Sequence, residues 1–262
     1  AIRGNSYYTI VDGPTWTAAS SNAQSLGGSL AVIADANENQ FITEYMGEQN
    51  IYNSAFIGFK GGKWVNGDQL SYNNFHPDIK SNQDWYFSNY PYSEIWAPSA
   101  EQIKKPWQVD IKPGVWNTAK NDQDGRNQRG IAEIPITSSA SFSATPKEGE
   151  GVFTTTINLS AGNSSNLING TEIFWKITGI TSDDLVSGSI QGSGTISNGK
   201  LEIQHALKED SDTGEQFTVS AYSDSLLTQQ IGTSRSSAIQ EADPVATSVF
   251  SFNGATIEEG TS

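Results

Sequence analysis

The sequence predicts a multidomain chain, an α+β domain followed by an all-β sandwich. Three observations carry that reading. Local patterns in the first 137 residues run strand, helix, strand, helix and then strands only. Residues 138–243 alternate in strand fashion between turn signals. Composition also breaks near Pro135–Ser139. Six of seven Trp and eight of nine Tyr lie before residue 137, and net charge is -4 up to 137 but -10 after it. These features set expected units at 1–137, 138–243 and 244–262.

Tyr7–Val11 reads as the first strand. Trp16, Ala19, Ala23 and Leu26 then recur at helical spacing, and Gly27–Gly28 stops the helix by supplying a left-handed C′ position. Ser29–Ile33 is the next strand. Asp35 with Glu38 three residues on resembles a capping box, opening a helix buried through Phe41, Ile42 and Tyr45 and ended at Gly47. Ala55–Phe59 is a buried strand. Trp64–Val65 leads into Asn66-Gly67-Asp68, a hairpin signal. Later strands are Val109–Ile111, Val115–Asn117 and Gly130–Ile134. Between about 66 and 108 lies a long polar stretch containing Tyr72, Phe75, Trp85, Tyr86, Phe87, Tyr90, Tyr92, Trp96 and Trp107. So many aromatics predict an ordered, packed loop rather than a linker.

In the second half, Phe153–Leu159, Glu172–Ile177, Gly194–Ile196, Leu201–Ile203 and Gln216–Tyr222 are strands of an expected seven, with a hairpin turn at Ser197–Lys200. An "FS" pair and an acidic Glu-Gly turn occur at 141–149 and again at 250–260, their glutamates 111 residues apart. The second copy predicts the first strand of a further repeat in 244–262.

Composition excludes several functions. The chain has 262 residues, a formal charge of -14 and a pI near 4.4, so a basic face for phosphate backbones is not expected. No apolar run reaches the ~18 residues of a membrane-spanning helix, which argues against membrane insertion. Cys is absent, excluding disulfides, thiolate metal sites and a Cys nucleophile. The opening Ala1-Ile2-Arg3-Gly4 is not a signal peptide, so a removed leader or an excised fragment is expected. His76 and His205 fall in different halves, so no Ser-His-Asp constellation assembles. His76 reads instead as a stacking or capping residue. Gly192–Gly194 is a hairpin feature rather than a nucleotide fingerprint, and Asn121–Gly125 is turn chemistry rather than an EF-hand loop.

From Tyr8–Trp16 through Gly28–Ile33, Glu38–Ile42, Phe56–Phe59, Lys63–Asp68, Tyr72–Phe75, Trp116–Asn117 and Gly130–Ile134, the chain resembles the C-type lectin-like domain family. The resemblance covers nearly all of residues 4–136 in order. It implies a carbohydrate site on a Ca²⁺ ion in the long loop, its oxygen ligands oriented by a cis-Pro motif. His76-Pro77-Asp78 stands at that motif and Asn117-Thr118 at the later Asn-Asp pair. His replaces one oxygen donor and Thr118 the expected carboxylate, leaving Asp78 and Asn117 as the metal ligands carried over. Asp84, Glu94 or Asp110 could substitute. The implied ligand-binding set is Asn74, His76, Asp78, Asp84, Asn117 and Thr118. A metal-free protein or glycan contact through the aromatic loop stays open.

The Glu148–Glu150 opening, Trp175 and the acidic loop at 209–217 make the second half similar to Calx-β-like or immunoglobulin-like repeats of large bacterial surface proteins. That likeness implies Ca²⁺ at Glu148, Asp210, Asp212 and Asp243, with Asp183 and Asp184 as further candidates. The expectation is a non-catalytic, extracellular or cell-surface recognition module, a carbohydrate-binding adhesin fragment with Ca²⁺ as cofactor. Its partners would be a glycan or surface protein and neighbouring repeats of the same chain. The alternative is a metal-independent protein-binding or structural module. An enzyme is not expected; the formylglycine-generating branch of the wider superfamily requires the absent Cys.

Overall fold

The computed structural model describes residues 1–51, 53–98, 112–121, 129–186, 189–211 and 213–242. The architecture is mixed α/β and nearly all β, a curled ten-stranded sheet with a second four-stranded sheet. Among the described residues no helix is long and apolar enough to cross a membrane.

The first half contains β1 (Ile2–Arg3), β2 (Ser6–Asp12), α1 (Trp16–Ser25), β3 (Ser29–Leu30), α2 (Ala36–Glu48), β4 (Ser54–Lys60) and β5 (Lys63–Trp64). Both long helices start at side-chain caps, of which the sequence marked the Asp35 one. The Thr15 hydroxyl accepts from Ala18 N and the Asp35 carboxylate from Glu38 N. Gly27, at φ +85, takes the left-handed position after α1. Two details differ from expectation. The strand at 29–33 shortens to Ser29–Leu30, and α2 runs one residue past Gly47.

The described part of the long polar stretch, 66–98, is ordered. It holds α3 (Pro77–Ser81), α4 (Gln83–Asn89) and β6 (Tyr92–Trp96), then β7 (Trp116–Ala119) follows. The expected hairpin at Asn66-Gly67-Asp68 is corrected: β4 and β5 join through Gly61 and Gly62, both at positive φ. Asn66 instead forms a local turn, its Oδ1 accepting from Asp68 N. The strand expected at 109–111, Trp107 and the turn at 122–125 lie outside the described residues.

β8 (Arg129–Phe142) is one continuous strand of 14 residues. Its first part pairs antiparallel with β2, Ser6 opposite Pro135, and parallel with β4. Its last part, from Ile136 to Phe142, pairs with β9 (Phe153–Ala161). The seam expected at 137 therefore falls inside a strand. β12 (Lys200–His205) adds to β9, while β11 (Gln191–Thr195), β10 (Glu172–Thr178), β13 (Gln216–Tyr222) and β14 (Gln230–Ala238) form the second sheet in that order. One buried cluster runs from Trp16, Ala19 and Leu30 past Ile134 and Ile136 to Leu159, Ile173 and Phe217. Gly162 packs so closely on Leu26 that a Cβ there would sit 2.0 Å from its carbonyl oxygen. Gly232 N donates to Asn5 Oδ1 at 2.6 Å, further tying the halves together. The stretch 244–262 lies outside the described residues.

Candidate functional site

The long segment is seated by rings. Trp116, fully buried, meets Trp64, Tyr72 and Phe75 edge-on at 5.3–5.5 Å. Phe59 packs on Trp64, Phe75 and Phe87 at 5.0–5.3 Å. Such edge contacts orient rings as well as burying them. Polar groups complete the seat. Trp116 Nε1 donates to Asn39 Oδ1 at 2.7 Å, and Asn39 and Asn74 both donate to the Gly114 carbonyl. Trp116 N donates to Asn74 O and His76 N to Trp116 O, so 74–76 runs along β7 like a short extra strand.

This framework positions the residues of the loop motif. Asn74 is half-buried, its amide on Gly114 O. His76 caps α3: its Nδ1 accepts from Asp78 N at 3.3 Å, and its ring lies 6.2 Å from Trp96. Pro77 opens α3, and the peptide bonds of the described residues are trans, so the implied cis-Pro turn is not formed. A proline at the first helical position needs no N–H partner. Asp78 is 76% exposed, its carboxylate 3.6 Å from His76 Nδ1. Asp84 is exposed in the first turn of α4. Asn117 Nδ2 donates to Glu94 Oε1 at 3.1 Å, and Glu94 Oε2 accepts from Ser54 Oγ at 2.8 Å. Glu94 is buried at 1% exposure, as is Thr118 at 7%. Asp110 lies outside the described residues.

A different set of carboxylates is brought together in the second half. Glu148, Asp210 and Glu215 have ligand atoms within 4.8 Å of one another, the one such His, Asp or Glu group among the described residues. Glu148 N donates to Gln240 O and Gly149 N to Leu207 O, which stitches this loop between the strand ends. Glu148 is 3% exposed. Burial raises its pKa, the charges of Asp210 and Glu241 add to this, and backbone N–H groups of Asp210 and Ala242 oppose it. Twice a Ca–O distance of ~2.3–2.6 Å is roughly 4.6–5.2 Å, so the spacing of these oxygens fits one Ca²⁺ between them. Asp184 is engaged elsewhere, closing a capping box with Thr181, and Asp183 lies in that same turn. Asp212 and Asp243 lie outside the described residues. Glu215 was not singled out by sequence reasoning, although it stands within the acidic loop at 209–217.

Sequence reasoning also missed a polar cleft of about 460 Å³ lined by Ser6, Ser29, Val32, Glu38, Asn66 and Glu133. Glu38, 5% exposed, accepts from the Tyr8 hydroxyl and from Ala34 N. Glu133 accepts from Ser6 Oγ and Val32 N. Burial raises the Glu38 pKa against its hydrogen bonds, and burial followed by the Glu133 and Glu38 charges pushes the Tyr8 phenol up. In the sequence Glu38 signalled a helix start and part of the family resemblance, not a site.

No protein-family model matches the chain. A stretch of 111 residues is 28% identical to a perlucin-like protein of Mytilus galloprovincialis, covering 35% of this chain and 68% of that protein. Among solved structures, human lithostathine overlays with a TM-score of 0.36 at 15% identity, covering 51% of this chain and 83% of lithostathine. A DUF3823 family protein of Bacteroides uniformis gives 0.23 at 13% identity, covering 57% of this chain and 71% of that one.

Proposed function

We propose that the chain is a non-catalytic recognition module of lectin type, acting outside the cell or at its surface, that binds carbohydrate through the long segment. The observation that carries this reading is the ring-packed seat at Phe59, Phe75 and Trp116, which holds a long irregular segment in one shape. A preformed loop loses little conformational freedom when a ligand docks. Similarity to the perlucin-like protein and the resemblance to the C-type lectin-like family support it. On this reading His76, Asp78 and Asn74 edge the glycan contact, with Asn117, Thr118 and Asp84 beside it.

The calcium part is assigned to the second half. Glu148, Asp210 and Glu215 would hold one Ca²⁺ and fix the loop ends of a Calx-β-like or immunoglobulin-like spacer repeat of an adhesin. A metal-free use of the long segment is favoured by one observation: the Asn117 amide is turned onto Glu94 while Asp78 faces solvent.

A glycan array probed in Ca²⁺ and again in EDTA tests the proposal. Retained glycan in both conditions, lost in Asp78→Ala, is expected. No retained glycan in either condition overturns it and leaves the alternative, a protein-binding or structural module.

A further inference from the structure

One end of the first-half sheet carries a strip of aromatic rings interleaved with lysines. Across the strands, Lys60 of β4 stands opposite Tyr92 of β6, which stands opposite Ala119 of β7, with Lys120 next. Trp96 and Trp116, beside the His76 motif, mark the other ends of β6 and β7. The strip is thus separate from the loop motif. Lys60 Nζ lies 5.3 Å from the Trp16 ring and 5.2 Å from Tyr92, and these two rings are 5.1 Å apart. Lys120 Nζ lies 5.9 Å from Tyr90. Tyr90 is 5.9 Å from Trp85 at an interplanar angle of 54°, and Trp85 is 50% exposed. The other large exposed apolar side chains among the described residues, Val65, Val152, Val186 and Leu226, are aliphatic.

Charge makes the strip unusual. The chain carries -14, yet Lys60 and Lys120 are both exposed and, among the described residues, neither has a carboxylate within 4.0 Å. Their ammonium groups lie over aromatic faces instead, a weak attraction that leaves their charge open to a partner. An aromatic face is electron-rich and attracts the polarised C–H bonds on the flat side of a sugar ring. Gln83, on the helix that carries Trp85, offers a hydrogen-bonding group for hydroxyls.

We infer that Trp85, Tyr90, Tyr92, Lys60 and Lys120 form a second ligand site, for an acidic saccharide whose ring stacks on Trp85 and whose anionic groups meet the two lysines. The site needs no metal. Calorimetric titration of the full chain in EDTA tests it, with three probes: a short oligogalacturonate, a malto-oligosaccharide of equal length, and a poly-glutamate peptide of equal charge. The oligogalacturonate is expected to bind best and to weaken as salt is added. Trp85→Ala should cost about tenfold in affinity and Trp85→Tyr should recover part of it. Lys60→Gln and Lys120→Gln should each cost about threefold. All four variants should melt with the wild type, and Asp78→Ala should bind oligogalacturonate unchanged, which separates this site from the loop motif. Three results overturn the inference: no oligogalacturonate binding, unchanged affinity in Trp85→Ala, or equal binding of malto-oligosaccharide or poly-glutamate.

Discussion

The two halves hold their irregular segments by opposite means. In the first, the long segment rests on uncharged rings: Phe59, Trp64, Phe75, Phe87 and Trp116 meet within 5.5 Å, and the indole of Trp116 is satisfied by Asn39. In the second, loop ends converge on carboxylates, with Glu148 buried beside Asp210 and Glu215. The packed Phe and Trp rings carry no titratable group and hold no ion. Gathered carboxylates repel one another, so a proton or a cation that reduces their charge should stabilise that region. The difference teaches where calcium should act: on the carboxylates of the second half and not on the ring cluster of the first.

The largest effect should break the ring seat. Trp116→Ala or Phe75→Ala should cost about 3–5 kcal/mol in urea unfolding, because each removes a fully buried ring from a packed cluster. Next comes the ion. Calcium at 100 times its Kd should stabilise by about 2.7 kcal/mol over EDTA, and Glu148→Gln or Asp210→Asn should abolish the shift in thermal melting. Loss of calcium stabilisation in Trp116→Ala alone would erase the contrast between the halves.

Protons sharpen it further. Burial first, then Asp210 and Glu241, hold the Glu148 pKa above its usual 4.5. Its contribution to folding is therefore fully present below 4.5 and lost as pH rises through the raised value. In EDTA, wild type minus Glu148→Gln should gain stability as pH falls towards 4.5. In calcium the sign should reverse, since the metal requires the ionised carboxylate. His205 works the other way. Burial among Phe153, Trp175 and Phe217 lowers its pKa from 6.5 to about 4, so its contribution is present above 6.5 and lost as pH falls through about 4. His205→Gln should flatten the acid limb of the stability profile over that window. The smallest effect belongs to Asp78→Ala, within about 0.5 kcal/mol of wild type by urea unfolding, since the side chain is exposed.

Much of the first half was legible because its signals are local. Asp35 is a cap with Glu38 three residues on, and Gly27 is a left-handed stop. β6 was not legible. Four consecutive residues, Ser93 to Trp96, are buried, so no alternation marks it, and Glu94 disguises it as loop. β14 carries Ile231 among serines and threonines and owes its place to pairing with β13. The continuity of β8 was hidden by composition: Trp and Tyr become rare after 137, but the backbone runs on because Ile136–Phe142 finds β9. Within the candidate sites, residue types were readable and partners were not. Asn117 looked like a free oxygen donor until Glu94 was placed opposite it, and Glu215 emerged only when folding brought it to Glu148.

Amide hydrogen exchange across residues 70–98 and 112–121 is the sharpest test of a long segment fixed in place by its own rings. Amides of His76, Ile79, Trp96 and Trp116, each bonded to backbone carbonyls, should exchange as slowly as those of β4 at Phe56 and Ile57, with or without calcium. Exchange of these amides at the rate of an unstructured chain, while β4 stays protected, would contradict the account.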